Sequence, residues 1–174
     1  MKIEQGRYII LGSIDGILAI LGVIIGSTTV ATDSSIVIRA ALGGAIALAL
    51  TNGIGSYLAE SAVEYGKLAV LEKPLLRSLE NTKLEKATKK KIFLDSITHG
   101  GASFIGSLIP IIPFLIFTKS TALIVSIIAS VIALAVLGIY SGKISKQNII
   151  LSSIRMVGLG LLIVIIVSLL GIEH

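Results

Sequence analysis

The chain has 174 residues, a formal net charge of +5 and no cysteine, and its mean hydropathy is +0.98. Apolarity on that scale excludes an ordinary soluble domain, and the missing cysteines exclude both a disulfide framework and a thiolate metal site. Any metal must therefore be held by oxygen, imidazole or thioether. The positive charge does not point to nucleic acid, because Lys and Arg cluster beside long apolar segments, where they set topology and meet anionic lipid.

The first predicted span is Tyr8–Val30. Its apolar run is too long for a cleaved signal peptide, and no small-residue cleavage site follows it. Asp15 lies seven residues into this span, roughly 10 Å below its cytoplasmic end. A carboxylate at that depth costs several kcal/mol unless it is paired, hydrated or bound to a cation. Gly12, Asp15, Ala19, Gly22 and Gly26 follow spacings of 3, 4, 3 and 4. They form one seam in which every member except Asp15 is small, and seams of this kind let two helices approach closely. Asp15 is therefore expected to face protein, on an ion pathway.

A polar turn, Thr32-Asp33-Ser34-Ser35, leads to a second span, Ile36–Tyr57. Asn52, Ser56, Glu60 and Glu64 recur every four residues. This row drifts slowly around one side of the helix, from mid-membrane to its cytoplasmic mouth. Acidic groups at a mouth concentrate cations, and deeper oxygens replace the ions' waters. The predicted metal-site residues are thus Asp15, Asn52, Ser56, Glu60 and Glu64. Residues 60–94 are predicted to form a cytoplasmic amphipathic helical connector, with Leu68, Leu71, Leu75 and Leu79 at helical spacing and Pro74 limiting its regularity. A connector of this type lies on the bilayer surface; a sharper alternative is metal gathering by Glu72, Glu80 and Glu85.

The remaining spans are Ile97–Phe117, Thr121–Tyr140 and Ile149–Leu170. Pro110 and Pro113 are expected to kink the third, and His99 is expected to lie at the membrane interface. Met156 offers a thioether to a softer metal, although packing explains it as well. Each span has enough residues to cross roughly 30 Å of hydrocarbon. Thirteen of the fifteen Lys and Arg residues fall on one side of the five spans, leaving Arg39 and Lys119 on the other. By the positive-inside rule the N-terminus is cytoplasmic and the C-terminus is outside. The fold expected is an all-α integral membrane protein of a prokaryotic plasma membrane, with five transmembrane helices and a cytoplasmic amphipathic helical segment.

These features point to a cation transporter with no tightly bound cofactor. A small organic-cation exporter also needs a membrane carboxylate, but aromatic walls usually complete such a site, and this chain has no Trp and only eight Phe and Tyr residues. A non-transporting membrane scaffold would use the small-residue seam without needing Asp15. An enzyme is not expected, because no nucleophile–base pair or closed metal-ligand cluster is found.

At these residues the chain resembles the vacuolar iron transporter family. Leu11-Gly12-Ser13-Ile14-Asp15-Gly16 is similar to the family's LGxxDG opening, and residues 102–114, ASFIGSLIPIIPF, to its third-span signature. Gly138 and Gly142, then Arg155-Met156 and Gly160, match its last two spans in order. The resemblance covers nearly the whole chain. It implies a homodimer centred on the first span that exports Fe²⁺ or Mn²⁺, or another divalent cation, in exchange for protons, with membrane lipid as its surroundings. Two departures are visible. Where the family's second span carries a Met and, four residues on, a Glu followed by Tyr, this chain has Asn52 and Ser56 followed by Tyr57. An amide oxygen thus replaces a soft sulfur donor. The segment 67–94 is also shorter and more basic than the Glu-rich cytoplasmic domain of the family's plant members.

Overall fold

The computed structural model describes residues 2–31, 33–76 and 78–170, with side chains from residue 5 onward. They form five helices: α1 (Lys2–Val30), α2 (Ser34–Leu75), α3 (Lys83–Ile116), α4 (Lys119–Ser145) and α5 (Ile149–Leu170). All five are long and apolar enough to cross a membrane. Two of them are longer than a crossing needs. At 1.5 Å per residue, the 42 residues of α2 and the 34 of α3 extend about 63 and 51 Å, well beyond a hydrocarbon core of roughly 30 Å.

The excess length falls at the joined ends of α2 and α3. Residues 60–94 are therefore not one surface-lying connector: they are the end of α2, a tight turn and the start of α3, a helical hairpin continuous with the two spans. Pro74 sits in the last turn of α2, just before Leu76 closes the helix in the left-handed conformation. Glu72 accepts a hydrogen bond from the Leu79 backbone N–H at 2.6 Å. Thr82 caps α3 by accepting from the Glu85 N–H, and Glu85 accepts in return from the Asn81 N–H at 2.8 Å. This reciprocal cap satisfies donors that a helix start leaves unpaired. Glu72 and Glu85 thus shape the turn.

α1 lies at the centre of the bundle and touches all four other helices. Its crossing with α3 is set by glycine. A Cβ on Gly12 would come within 2.5 Å of the His99 carbonyl oxygen, and one on Gly106 within 2.5 Å of the Ser13 carbonyl oxygen. Only the missing side chains let the two backbones approach so closely. Gly138 and Gly142 do the same for α4 against Ser153 and Ile149 of α5. Around α1 a core forms from Ile20, Ile24, Val37, Ala41, Ile111 and Phe114. α3 remains helical through Pro110 and Pro113, and the Ser126 hydroxyl of α4 donates to the Pro110 carbonyl.

The two ends of the bundle differ in charge. At one end Lys119 Nζ reaches the Ala31 carbonyl at 2.5 Å, tying the α3–α4 turn to the α1–α2 turn. At the other end Lys91 of α3 pairs with Glu64 of α2, and Gly6 of α1 lies against Ile144 of α4. The start of α1, the α2–α3 hairpin and the α4–α5 turn therefore share the end that carries most of the basic residues.

Candidate functional site

The Gly12 and Gly16 contacts turn the residue between them, Asp15, toward a polar patch in which α1, α2 and α3 meet. Asn52 Nδ2 donates to Asp15 Oδ2 at 3.3 Å and to Ser103 Oγ at 2.8 Å. Ser103 Oγ donates in turn to the His99 carbonyl at 2.9 Å. Ser56 Oγ lies 2.5 Å from His99 Nδ1, and His99 Nε2 lies 3.7 Å from Asp15 Oδ2. Asp15, Asn52 and Ser56 are thus brought together, with His99 as the link between Ser56 and the carboxylate. Among the described residues no Lys or Arg pairs with Asp15, whose side chain is 39% exposed.

His99, expected near the membrane interface, is buried within the protomer, with the residue 8% exposed. Depth in the membrane does not fix burial; the face of the helix does. His99, Ser103 and Ser107 recur every four residues on the side of α3 that packs against α1 and α2. That polar row was the sequence signal that would have placed His99 in the site. Its Nε2 is buried and makes no hydrogen bond among the described residues.

Glu60 lies one step outward. It accepts a hydrogen bond from the Tyr8 hydroxyl and pairs with Arg7 at 3.6 Å. The Tyr8 ring lies 5.6 Å from the His99 ring, centroid to centroid. Contacts therefore run from Arg7 and Glu60 to Tyr8, across the ring contact to His99, and on to Asp15. Glu64 does not join it. Lys67 at 2.7 Å and Lys91 at 3.2 Å hold the Glu64 carboxylate, and the hydrogen bond from Lys67 keeps its pKa below the usual carboxylate range. Glu64 is charged but already paired with two lysines. No group of three or more His, Cys, Asp or Glu side chains is assembled among the described residues, so a cation bound here would draw on amide and hydroxyl oxygens or water as well.

The small-residue seam is divided between neighbours. Gly12 is buried against α3. Gly22 and Gly26 face Ile163 and Val167 of α5 at ordinary van der Waals distance. Ala19 is exposed and Asp15 is partly so, which leaves the middle of the seam open at the surface of the protomer.

Comparison with known proteins agrees with this architecture. A model of the VIT family matches residues 68–172. The chain is 40% identical over 167 residues to the uncharacterized protein MJ0645 of Methanocaldococcus jannaschii, covering 94% of this chain and 87% of that protein. It is 25% identical over 202 aligned positions to vacuolar iron transporter 1 of Tulipa gesneriana, covering 90% of this chain and 81% of the tulip protein. Together with five apolar helices, these similarities support an integral membrane protein that transports metal ions, and the chain belongs to the VIT family.

Proposed function

We propose that this protein exports divalent metal cations, Fe²⁺ or Mn²⁺, from the cytoplasm in exchange for protons, with Asp15 as the intramembrane ion site. The observation that carries the proposal is the state of Asp15. Its carboxylate sits within an apolar span, oriented by Asn52 and without a Lys or Arg partner among the described residues. A membrane carboxylate left without a fixed counter-charge is suited to a mobile one, a metal ion or a proton. The tulip relative's description as an iron transporter supports the choice of cargo.

In this mechanism the end of the bundle carrying the α2–α3 hairpin faces the cytoplasm, a reading that the distribution of Lys and Arg supports. Glu60, beside Arg7 and Tyr8, marks the mouth. The ion enters past it, exchanges part of its water for oxygens of Asn52 and Ser56, and binds Asp15. Two copies of the chain meet along the exposed part of α1 around Ala19, bringing both Asp15 side chains toward a shared axis. Metal and proton compete for the same carboxylates, so metal binding weakens as pH falls and releases protons as it forms.

The test uses purified protein in liposomes that contain a metal-sensitive dye and, separately, a pH-sensitive dye. An imposed proton gradient is expected to drive Fe²⁺ or Mn²⁺ against its own gradient, with protons moving the opposite way. Metal flux that is indifferent to the proton gradient would remove antiport from the mechanism, and absence of any metal flux would remove transport itself.

A further inference from the structure

We propose that His99 is a ligand to the transported cation through Nε2, opposite Asp15, and that it biases the site toward nitrogen-seeking ions such as Fe²⁺ and Co²⁺ over Mn²⁺. This rests on the transporter reading above and adds a donor that the second-span row does not contain.

Three observations carry it. First, the ring is buried, yet its Nε2 has no hydrogen-bond partner among the described residues. A buried polar atom without a partner is costly, and a site that takes a ligand is one of the few settings that explains it. Second, Nε2 faces the Asp15 carboxylate at 3.7 Å. A metal about 2.0–2.2 Å from each of two donors sets them roughly 3–4.3 Å apart, so one ion fits between these two atoms with little movement. Third, the other ring nitrogen is held. Nδ1 lies 2.5 Å from Ser56 Oγ. With Nδ1–H donating to that hydroxyl, the lone pair is left on Nε2, directed at Asp15. Metal-binding histidines are commonly fixed by such an outer hydrogen bond. Asn52 performs the matching task on the other side by donating to Asp15.

The chemical consequence concerns selectivity. A site of carboxylate, amide and hydroxyl oxygens alone suits hard ions such as Mn²⁺ and Mg²⁺, whereas imidazole favours ions later in the first-row series. Ser56 then has a second task besides offering its oxygen, which is to orient the ring through Nδ1.

The experiment compares wild type, His99→Asn and Asp15→Asn in liposomes loaded with dye, using Fe²⁺, Co²⁺ and Mn²⁺ in parallel. His99→Asn keeps a polar atom near the Nδ1 position, within reach of Ser56, and withdraws the Nε2 donor. Monodispersity in detergent shows that each variant is folded; if His99→Asn is not, His99→Gln takes its place, with an amide in place of the Nε2 donor. Fe²⁺ and Co²⁺ flux should fall about tenfold or more, the scale of lost metal-site interactions, while Mn²⁺ flux falls much less. Co²⁺ added to purified wild type should give visible absorption bands that shift in the His99 variant. An unchanged Fe²⁺/Mn²⁺ ratio with unchanged Co²⁺ bands would overturn the assignment of His99 while leaving the transporter reading intact, provided Asp15→Asn is inactive. Equal loss for all three metals would overturn the selectivity role. Wild-type protein that moves none of them would overturn the transporter reading and this inference with it.

Discussion

Gly16 of α1 packs directly on the backbone of Ser103 in α3, so closely that a Cβ there would overlap the Ser103 carbonyl oxygen. The contact explains why glycine flanks Asp15 in the opening motif. It fixes the helix crossing that brings the carboxylate to Asn52 and His99. Gly16→Leu should therefore destabilise the protein by at least the roughly 1–3 kcal/mol typical of overpacking, because the obstructing atom belongs to backbone and cannot rotate away. Gly43→Ala is the control, since nothing lies within 4 Å of the added carbon. Thermal unfolding in detergent should show a loss of several degrees for the first and little change for the second. Equal stabilities would mean that this crossing does not hold the bundle together.

The two mouth carboxylates should behave differently. Glu64 is neutralised by Lys67 and Lys91, so Glu64→Gln should leave metal flux nearly unchanged. Glu60 is bound by Tyr8, whose ring lies against His99, and Glu60→Gln should raise the metal concentration needed for half-maximal flux by roughly threefold to tenfold. Concentration dependence of initial rates decides this; a larger effect at Glu64 would relocate the entry path.

Cross-linking reads the dimer contact. Ala19 is exposed on α1, whereas Ile17 is wholly buried, with 0% exposure. In a chain without native cysteine, Ala19→Cys should form an intersubunit disulfide under mild oxidation and Ile17→Cys should not. Failure at Ala19 with efficient cross-linking of a cysteine placed on α5 would move the dimer interface away from α1.

The orientation of the chain is open to labelling. A cysteine at Ser78, in the turn between α2 and α3, should be shielded from a membrane-impermeant reagent in intact cells and become reactive after lysis. A cysteine at Ser120, at the opposite end, should react in both. The reverse pattern would invert the topology and with it the direction of transport.

Much of the fold was legible because apolar length is a strong signal: the five apolar runs correspond to five separate helices, each long and apolar enough to cross a membrane. The hairpin was less legible. Where α2 leaves the membrane its polar surface resembles that of a separate amphipathic helix, and nothing between Tyr57 and Leu68 breaks the chain. Of the site, Asp15 and Asn52 could be paired by their chemistry and depth. His99 could not be placed by depth alone, since its burial depends on the rotation of α3 against α1, which the glycine contacts fix. Glu64 was misleading for a related reason. Its place in the four-residue row is real, but Lys67 lies one turn along the same helix and Lys91 comes from a helix that only the folded hairpin brings alongside.

In the proposed mechanism the Asp15 carboxylate carries the ion. Asp15→Asn preserves the shape of the side chain and removes its charge, so the variant should fold, remain monodisperse and elute as the wild type does. Initial rates of Fe²⁺ and Mn²⁺ flux into dye-loaded liposomes, measured for both proteins at equal density, decide whether it does. Flux at the level of protein-free liposomes for Asp15→Asn, beside clear transport by the wild type, is the predicted result; near-normal flux in the variant would contradict the account.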